Sequence, residues 1–398
     1  MVSMTHQLSG SINHTVRNRI LSIDVLRGCA MVFVIFQHAY LSVNIKSIPP
    51  LLDFFIWKIT GIAAVAFVSI SGMVYSYFLY TKSDWQTAYR RYTGRAAFLL
   101  LAAHPVINVV SYYFNAADKQ YPSGYVAFLD LIVLNFPITD TIAFCLLASP
   151  VFVVITGHMR RAMAISAMLL LAVFIRASMY PVDLHWAIFK EVTFGGLGVP
   201  KAFWFPLIPW LAIFLSGSFA GYALACHKKG ALEVSAMVKM INKGGLFLAV
   251  CGAVLVLGYK MLKMTLGDTW NHNIFLAIYP GQTTTLLPVY LAALALLFAV
   301  FLKEIDISGR YNRFFWLLSV FGRTSLFTFV LQFAVVESVP ALLGMKETLG
   351  LVGFIVLFVA GSMLIWLLAY LYGRWRGWIS DNDYAICVNM ARARFPYA

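Results

Sequence analysis

A chain of 398 residues that is 61% hydrophobic and 12% charged, with a mean hydropathy of +0.80, is too apolar for a soluble globular domain. Its formal charge of +14 does not point to nucleic acid, because in so apolar a chain the positions of the basic residues matter more than their sum. Five scattered cysteines, Cys29, Cys145, Cys226, Cys251 and Cys387, give no disulfide framework. The lack of HExxH, CxxC or any ligand spacing among the eight histidines argues against a metal centre.

The first 19 residues are polar and carry Arg17 and Arg19. The apolar run after them has no small-residue cleavage site, so it reads as an uncleaved first helix behind a short cytoplasmic segment, 1–19. Runs long enough to cross about 30 Å of hydrocarbon as helices fall at 20–42, 54–80, 96–114, 138–156, 163–180, 206–226, 244–263, 283–302, 315–338 and 349–372. The stretch YVAFLDLIVLNFP, 124–136, is short and holds Asp130 ahead of Pro137, and it is expected to be re-entrant or interfacial. The expectation is therefore an all-α polytopic bundle of ten transmembrane helices, one domain over 20–373. The tail 374–398, rich in Trp, Arg and Tyr, lies along the headgroups. With both termini cytoplasmic, most of the 30 Lys and Arg fall inside, whereas an eleventh span would move the later basic loops to the wrong face. The expected location is the cytoplasmic membrane of a bacterium.

Within SIDVLRGCAMVFVIFQHAY, residues 22–40, three ionisable groups stand where hydrocarbon penalises them. Asp24 and Arg27 are three apart and share a face. His38 lies eleven residues further, roughly 16 Å up the helix and within about 20° of the arginine's face. The plain alternative is a snorkelling arginine and a satisfied bundle histidine. In YRRYTGR, the loop expected after the second span, Arg90, Arg91 and Arg95 suit polyphosphate, though the positive-inside rule alone also yields such a cluster. Asp140, opening the fourth span after a proline, can cap that helix or accept a hydrogen bond from substrate. Arg176 sits in the outer end of the fifth span, where it either snorkels or meets an acceptor. His104, beside Pro105, is read as filling a kink. Indole and carboxylate side chains in the outer loop 181–203, among them Asp183 and Trp186, suit a carbohydrate-facing surface or interfacial anchors.

RILSIDVLRGCAMVFVIFQHAY resembles the first-helix signature of the integral membrane acyltransferases, both the acyltransferase type 3 family, with an arginine, ten residues and a histidine, and the related heparan-alpha-glucosaminide N-acetyltransferase-like family. FVSISGMVYSYF resembles their second helix, FPLIPWLAIFLSGSFAGYAL is similar to a signature of the second family, and FGRTSLFTFVLQF resembles a late-helix motif of both. The resemblance implies a bundle that takes an acyl group, acetyl by preference, from cytoplasmic acyl-CoA and delivers it to a hydroxyl or amine, often on an extracytoplasmic sugar. It implies no permanently bound cofactor, with acyl-CoA as co-substrate, and a glycan or glycolipid acceptor beside the lipid bilayer. In this frame His38, with Asp24, is catalytic. Arg27, Arg90, Arg91 and Arg95 hold the donor, and Asp140, Arg176, Trp210 and Gln332 face the acceptor. Two positions differ from the pattern. Gln332 stands where the late motif has a histidine, and Arg91 and Arg95 are separated by three residues, where type 3 members carry R-x-x-R.

Two functions compete. In an acyltransferase, His38 acts as general base or as a covalent acyl carrier. In a transporter or flippase, the same charges line a substrate path, with matching halves and broken helices as the expected sign. Reporter fusions at residues 93 and 398 test the topology: both are expected to read cytoplasmic, and extracytoplasmic signals contradict the ten-span arrangement.

Overall fold

Helix α1, Leu21–Tyr40, is apolar enough to span a bilayer, yet its first residues supply no cap: Ile20 at the N-cap position makes no side-chain bond. The cap comes from 285 residues further along. Asp306, wholly buried, takes Leu21 N on Oδ1 at 3.1 Å and Ser22 N on Oδ2 at 2.9 Å. A carboxylate there meets both the orphan N–H groups and the positive end of the helix dipole.

The computed structural model describes residues 19–44, 48–81, 85–116, 136–148, 205, 207–266, 277–279, 282–283 and 287–393. After α1 come α2, Pro50–Thr60, α3, Ile62–Thr81, α4, Trp85–Phe98, α5, His104–Ala116, and α6, Ile138–Ala148. The second half holds α7, Leu207–Lys228, α8, Val234–Leu266, α9, Leu287–Phe301, α10, Arg313–Arg323, α11, Ser325–Gln332, α12, Val339–Leu342, α13, Leu351–Trp375, and α14, Asp383–Ala393. Three π-helical turns, Leu99–Ala103, Leu302–Ile307 and Phe333–Ser338, join α4 to α5, extend α9, and join α11 to α12. A hairpin of Ala277–Tyr279 with Gln282–Thr283 is a small addition to a helical chain.

Eight helical stretches among the described residues are long and apolar enough to cross a membrane, which gives the all-α polytopic bundle that the hydropathy implies. Three expectations need correction. The span expected at 54–80 is divided at Gly61 into α2 and α3. The span expected at 315–338 bends at Thr324, where the backbone leaves the helical region (φ −106°, ψ 21°) and α10 gives way to α11. The basic run expected as a loop is the start of α4, which carries its helix into the membrane through Leu99–Ala103. Of the fourth expected span, 138–148 is helical. The span expected at 163–180, nearly all of the stretch 124–136 and the loop 181–203 lie outside the described residues.

Two helix pairs close on each other through glycine. A Cβ on Gly28 falls on the Leu318 carbonyl, and one on Gly322 falls on the Asp24 carbonyl, so α1 and α10 meet backbone to backbone. Gly72 lies in the same way against Phe214, and Gly217 against Ser69, at the crossing of α3 and α7. In hydrocarbon, where apolar side chains gain little by leaving lipid, such close packing is a main source of helix association. Helices α8 and α13 stay at the rim, with Met264 and Val352 among their many exposed apolar side chains.

Gly28→Ala and Gly217→Ala are therefore expected to cost about 1–3 kcal/mol through overpacking, whereas Gly94→Ala, with nothing within 4 Å of the added carbon, should be neutral or stabilising. Thermal unfolding of the purified protein checks this, and equal melting of all three contradicts it.

Candidate active site

His38 is brought to its partner by one regular and one irregular element. The last turn of α1 carries the imidazole into the bundle, and the π-helical turn Phe333–Ser338 widens the backbone at the point where Glu337 has to point inward. Nδ1 of His38 is in direct contact with Oε1 of Glu337. The carboxylate side chain is 4% exposed and the imidazole 21%, and Phe333 packs edge-on against the imidazole at 4.9 Å. A carboxylate on Nδ1 fixes that nitrogen as the N–H bearer and leaves the Nε2 lone pair as the basic atom.

At the other end of α1 the charges form a different group. Asp24 Oδ2 lies 3.7 Å from Arg19 and 3.7 Å from Nε of Arg323. Arg323 donates from Nη1 to both oxygens of Asp383, at 2.8 and 2.7 Å, and from Nη2 to the Cys387 sulfur at 2.9 Å. Trp316 Nε1 adds a bond to Asp383 at 3.0 Å. Burial pushes the Cys387 thiol above its ordinary range, so it stays protonated beside Arg323. The structure does not bring Asp24 and His38 together, since fourteen residues, roughly 21 Å of helix, separate them.

Arg27 reaches Gly322 O at 3.5 Å and lies within coulombic range of Asp24, Arg95, Arg19 and Tyr92. Arg91 and Arg95, four apart on α4, share a face and rest over the rings of Phe78 and Tyr92. Arg90 is also exposed on α4. Several guanidinium groups thus converge at the Arg27 end, and Asp24, the carboxylate among them, is shared with Arg323.

Three of the residues expected to face an acceptor are deeply buried with polar atoms left over. Asp140 and Gln332 are wholly enclosed and Trp210 is 1% exposed. Asp140 Oδ1, Trp210 Nε1 and both amide atoms of Gln332 have no hydrogen-bond partner among the described residues. The Asp140 carboxylate does not serve as a helix cap: its Oδ2 meets His104 Nδ1 at 2.5 Å. His104 is therefore a hydrogen-bond partner of Asp140 as well as a kink residue. Arg176 lies outside the described residues. An apolar cleft of about 80 Å³ lined by Leu26, Ser69, Met73, Gly217, Gly244 and Phe298 touches neither His38 nor Glu337.

Sequence reasoning missed Glu337, Asp306 and Asp383. Glu337 was the one within reach, as a lone carboxylate in the apolar run LQFAVVESVP of the kind that marks an intramembrane site.

A half-buried imidazole in contact with a buried carboxylate inside a helical membrane bundle is a pair chemically able to take up and pass on a proton. Residues 19–259, more than half of the chain, match the family model of the heparan-alpha-glucosaminide N-acetyltransferase catalytic domain. The chain belongs to that family, and its coarse chemistry is accordingly acetyl transfer at a membrane. The match runs from α1 into α8, whereas Arg323, Gln332 and Glu337 lie beyond it. No curated protein sequence matches the chain.

Asp383→Asn leaves the buried Arg323 guanidinium without its bidentate partner, and a loss of about 3–5 kcal/mol of stability is expected. Unchanged thermal unfolding of that variant contradicts the ion-pair account.

Proposed function

We propose that the protein moves an acyl group, acetyl by preference, from cytoplasmic acyl-CoA to a hydroxyl or amine of a sugar-containing or lipid-linked acceptor on the far side of a bacterial cytoplasmic membrane. The observation that carries this reading is the His38–Glu337 contact at one end of α1, with Arg27 on the same helix roughly 16 Å away. A long donor with phosphates at one end and a thioester at the other spans such a distance. The guanidinium groups of Arg27, Arg91 and Arg95, with Arg90 at the rim, grip the phosphates, because guanidinium forks match phosphate oxygens. Asp24 acts on this side, sharing its charge between Arg27 and Arg323, and prepares the donor end for the chemistry at His38.

At the far end Glu337 accepts the Nδ1–H, and Nε2 takes the proton from the acceptor O–H or N–H as that heteroatom attacks the thioester carbonyl carbon. The imidazolium that forms is stabilised by the adjacent carboxylate. The tetrahedral intermediate collapses with cleavage of the C–S bond, and the proton on Nε2 passes to the departing CoA thiolate, which leaves both residues as they began. Asp140, Trp210, Gln332 and Arg176 supply the acceptor contacts. The leftover polar atoms on the first three support this, because buried polar groups ordinarily have partners.

His38→Gln keeps size and hydrogen bonding but has no titrating base, so a loss of at least ~100-fold in acyl transfer is expected. Glu337→Gln should lower kcat with little change in donor KM. Arg91→Ala and Arg95→Ala should do the reverse, since contacts remote from the thioester supply binding. Near-normal transfer by purified His38→Gln protein overturns the reading.

A further inference from the structure

Besides the His38–Glu337 pair the bundle holds a second half-buried imidazole against a buried carboxylate. His104 Nδ1 meets Asp140 Oδ2 at 2.5 Å, and Asn108, one turn further along α5, places its amide nitrogen 3.1 Å from His104 Nε2. With an N–H donor on Nε2, the ring proton belongs on Nδ1, facing Asp140. Asp140 Oδ2 then accepts that N–H. Asp140 is wholly buried, and its Oδ1 has no partner among the described residues. A carboxylate offers about four acceptor positions, and one that is half satisfied in a membrane interior is costly unless a ligand completes it.

The pair is tied to the proposed catalytic turn. Ser338, next to Glu337, donates its hydroxyl to Val110 O at 3.2 Å. Val110 follows His104 on α5 by six residues, about 9 Å of helix. Along α5 the second pair therefore stands roughly that far from the residue that Ser338 touches, and α5 packs against the turn that carries Glu337. Helix α7, which carries Trp210, packs on α6 beside Asp140, and Thr141, the next residue, donates to Phe205 O at 2.9 Å.

We propose that Asp140 Oδ1 receives a hydrogen-bond-donating group of the acceptor, a hydroxyl or an ammonium remote from the reacting atom, and that His104 and Asn108 are positioning residues that aim and charge the carboxylate. The inference rests on the acyl-transfer reading and adds to it the receiving atom, its sign and the residues that set it. A negative, acceptor-only atom at this place selects for donors and against carboxylate or sulfate groups in the docked part of the acceptor.

The test uses purified full-length protein and two probes, glucosamine and glucose, which carry an ammonium and a hydroxyl at the same ring carbon. Binding is measured by thermophoresis, and CoA release from acetyl-CoA is followed separately. Wild-type protein is expected to bind one or both sugars, and Asp140→Asn and His104→Gln should weaken that binding by at least ~10-fold, the scale of a hydrogen bond to a charged group, with acetyl-CoA affinity within about twofold of wild type. A preference for glucosamine identifies an ammonium as the docked group, and equal binding identifies a hydroxyl. Should Asp140→Asn not fold, Asn108→Ala, which leaves the His104–Asp140 contact in place, is expected to weaken sugar binding in the same direction. Binding of neither sugar by wild type, unchanged sugar affinity in the variants, or a parallel loss of acetyl-CoA affinity overturns the proposal. Failure of the acyl-transfer reading is distinct, since it appears as absent CoA release in wild type whatever the sugars do.

Discussion

Every ionisable group that this bundle carries away from its rim has to find a counterpart inside it, because hydrocarbon offers none. That constraint accounts for three pairings made across elements far apart in sequence. Glu337 reaches His38, Asp140 reaches His104, and Asp383 and Asp24 share Arg323. Asp306 obeys the same rule toward backbone groups when it caps α1. The pairings differ in how completely they are satisfied. Arg323 is held bidentately and also bonds Cys387, which suits a structural tie, whereas Asp140 and Gln332 retain unused polar atoms. Incomplete satisfaction is where a ligand gains most by binding.

The pairs depend on helices that approach more closely than ordinary side chains permit. Gly28 and Gly322 lock α1 to α10, and this fixes Arg27 against Gly322 O and Arg323 near Asp24. The bend at Thr324 and the π-helical turn at Phe333–Ser338 then redirect the chain so that Glu337 arrives at His38. A straight helix through 313–342 advances 100° per residue without interruption and has no means of adjusting both ends independently. The segments that resemble the acyltransferase signatures are thus in part packing devices. FVSISG and LSGSFAG hold the α3 and α7 crossing through Gly72 and Gly217.

Hydropathy alone made the architecture legible, since an apolar run of bilayer length has few other uses. The spacing of Arg27 and His38 was legible for the same kind of reason, as helix geometry converts eleven residues into a length and a face. Glu337 was legible only as a lone carboxylate in an apolar run, because its pairing with His38 has no local signature. Its role comes from a partner at the opposite end of the chain. Asp306 was hidden likewise, a cap delivered from 285 residues away. The basic run at 90–95 was wrong as a loop: Tyr92 is buried against the bundle with its hydroxyl 3.4 Å from Val74 O, and that tertiary contact overrides the weak helix propensity of Gly94.

The central claim is that one helix presents the donor's phosphates and its thioester to two different sites. The most direct measurement is a cryo-electron microscopy structure of the full-length protein in lipid nanodiscs with acetyl-CoA. The account predicts phosphate density on Arg27 and Arg95 and the thioester near His38, with Nε2 within about one hydrogen bond or one water of the attacking position. A donor whose thioester stays at the Asp24 end, or whose phosphates lie away from the arginines, contradicts it.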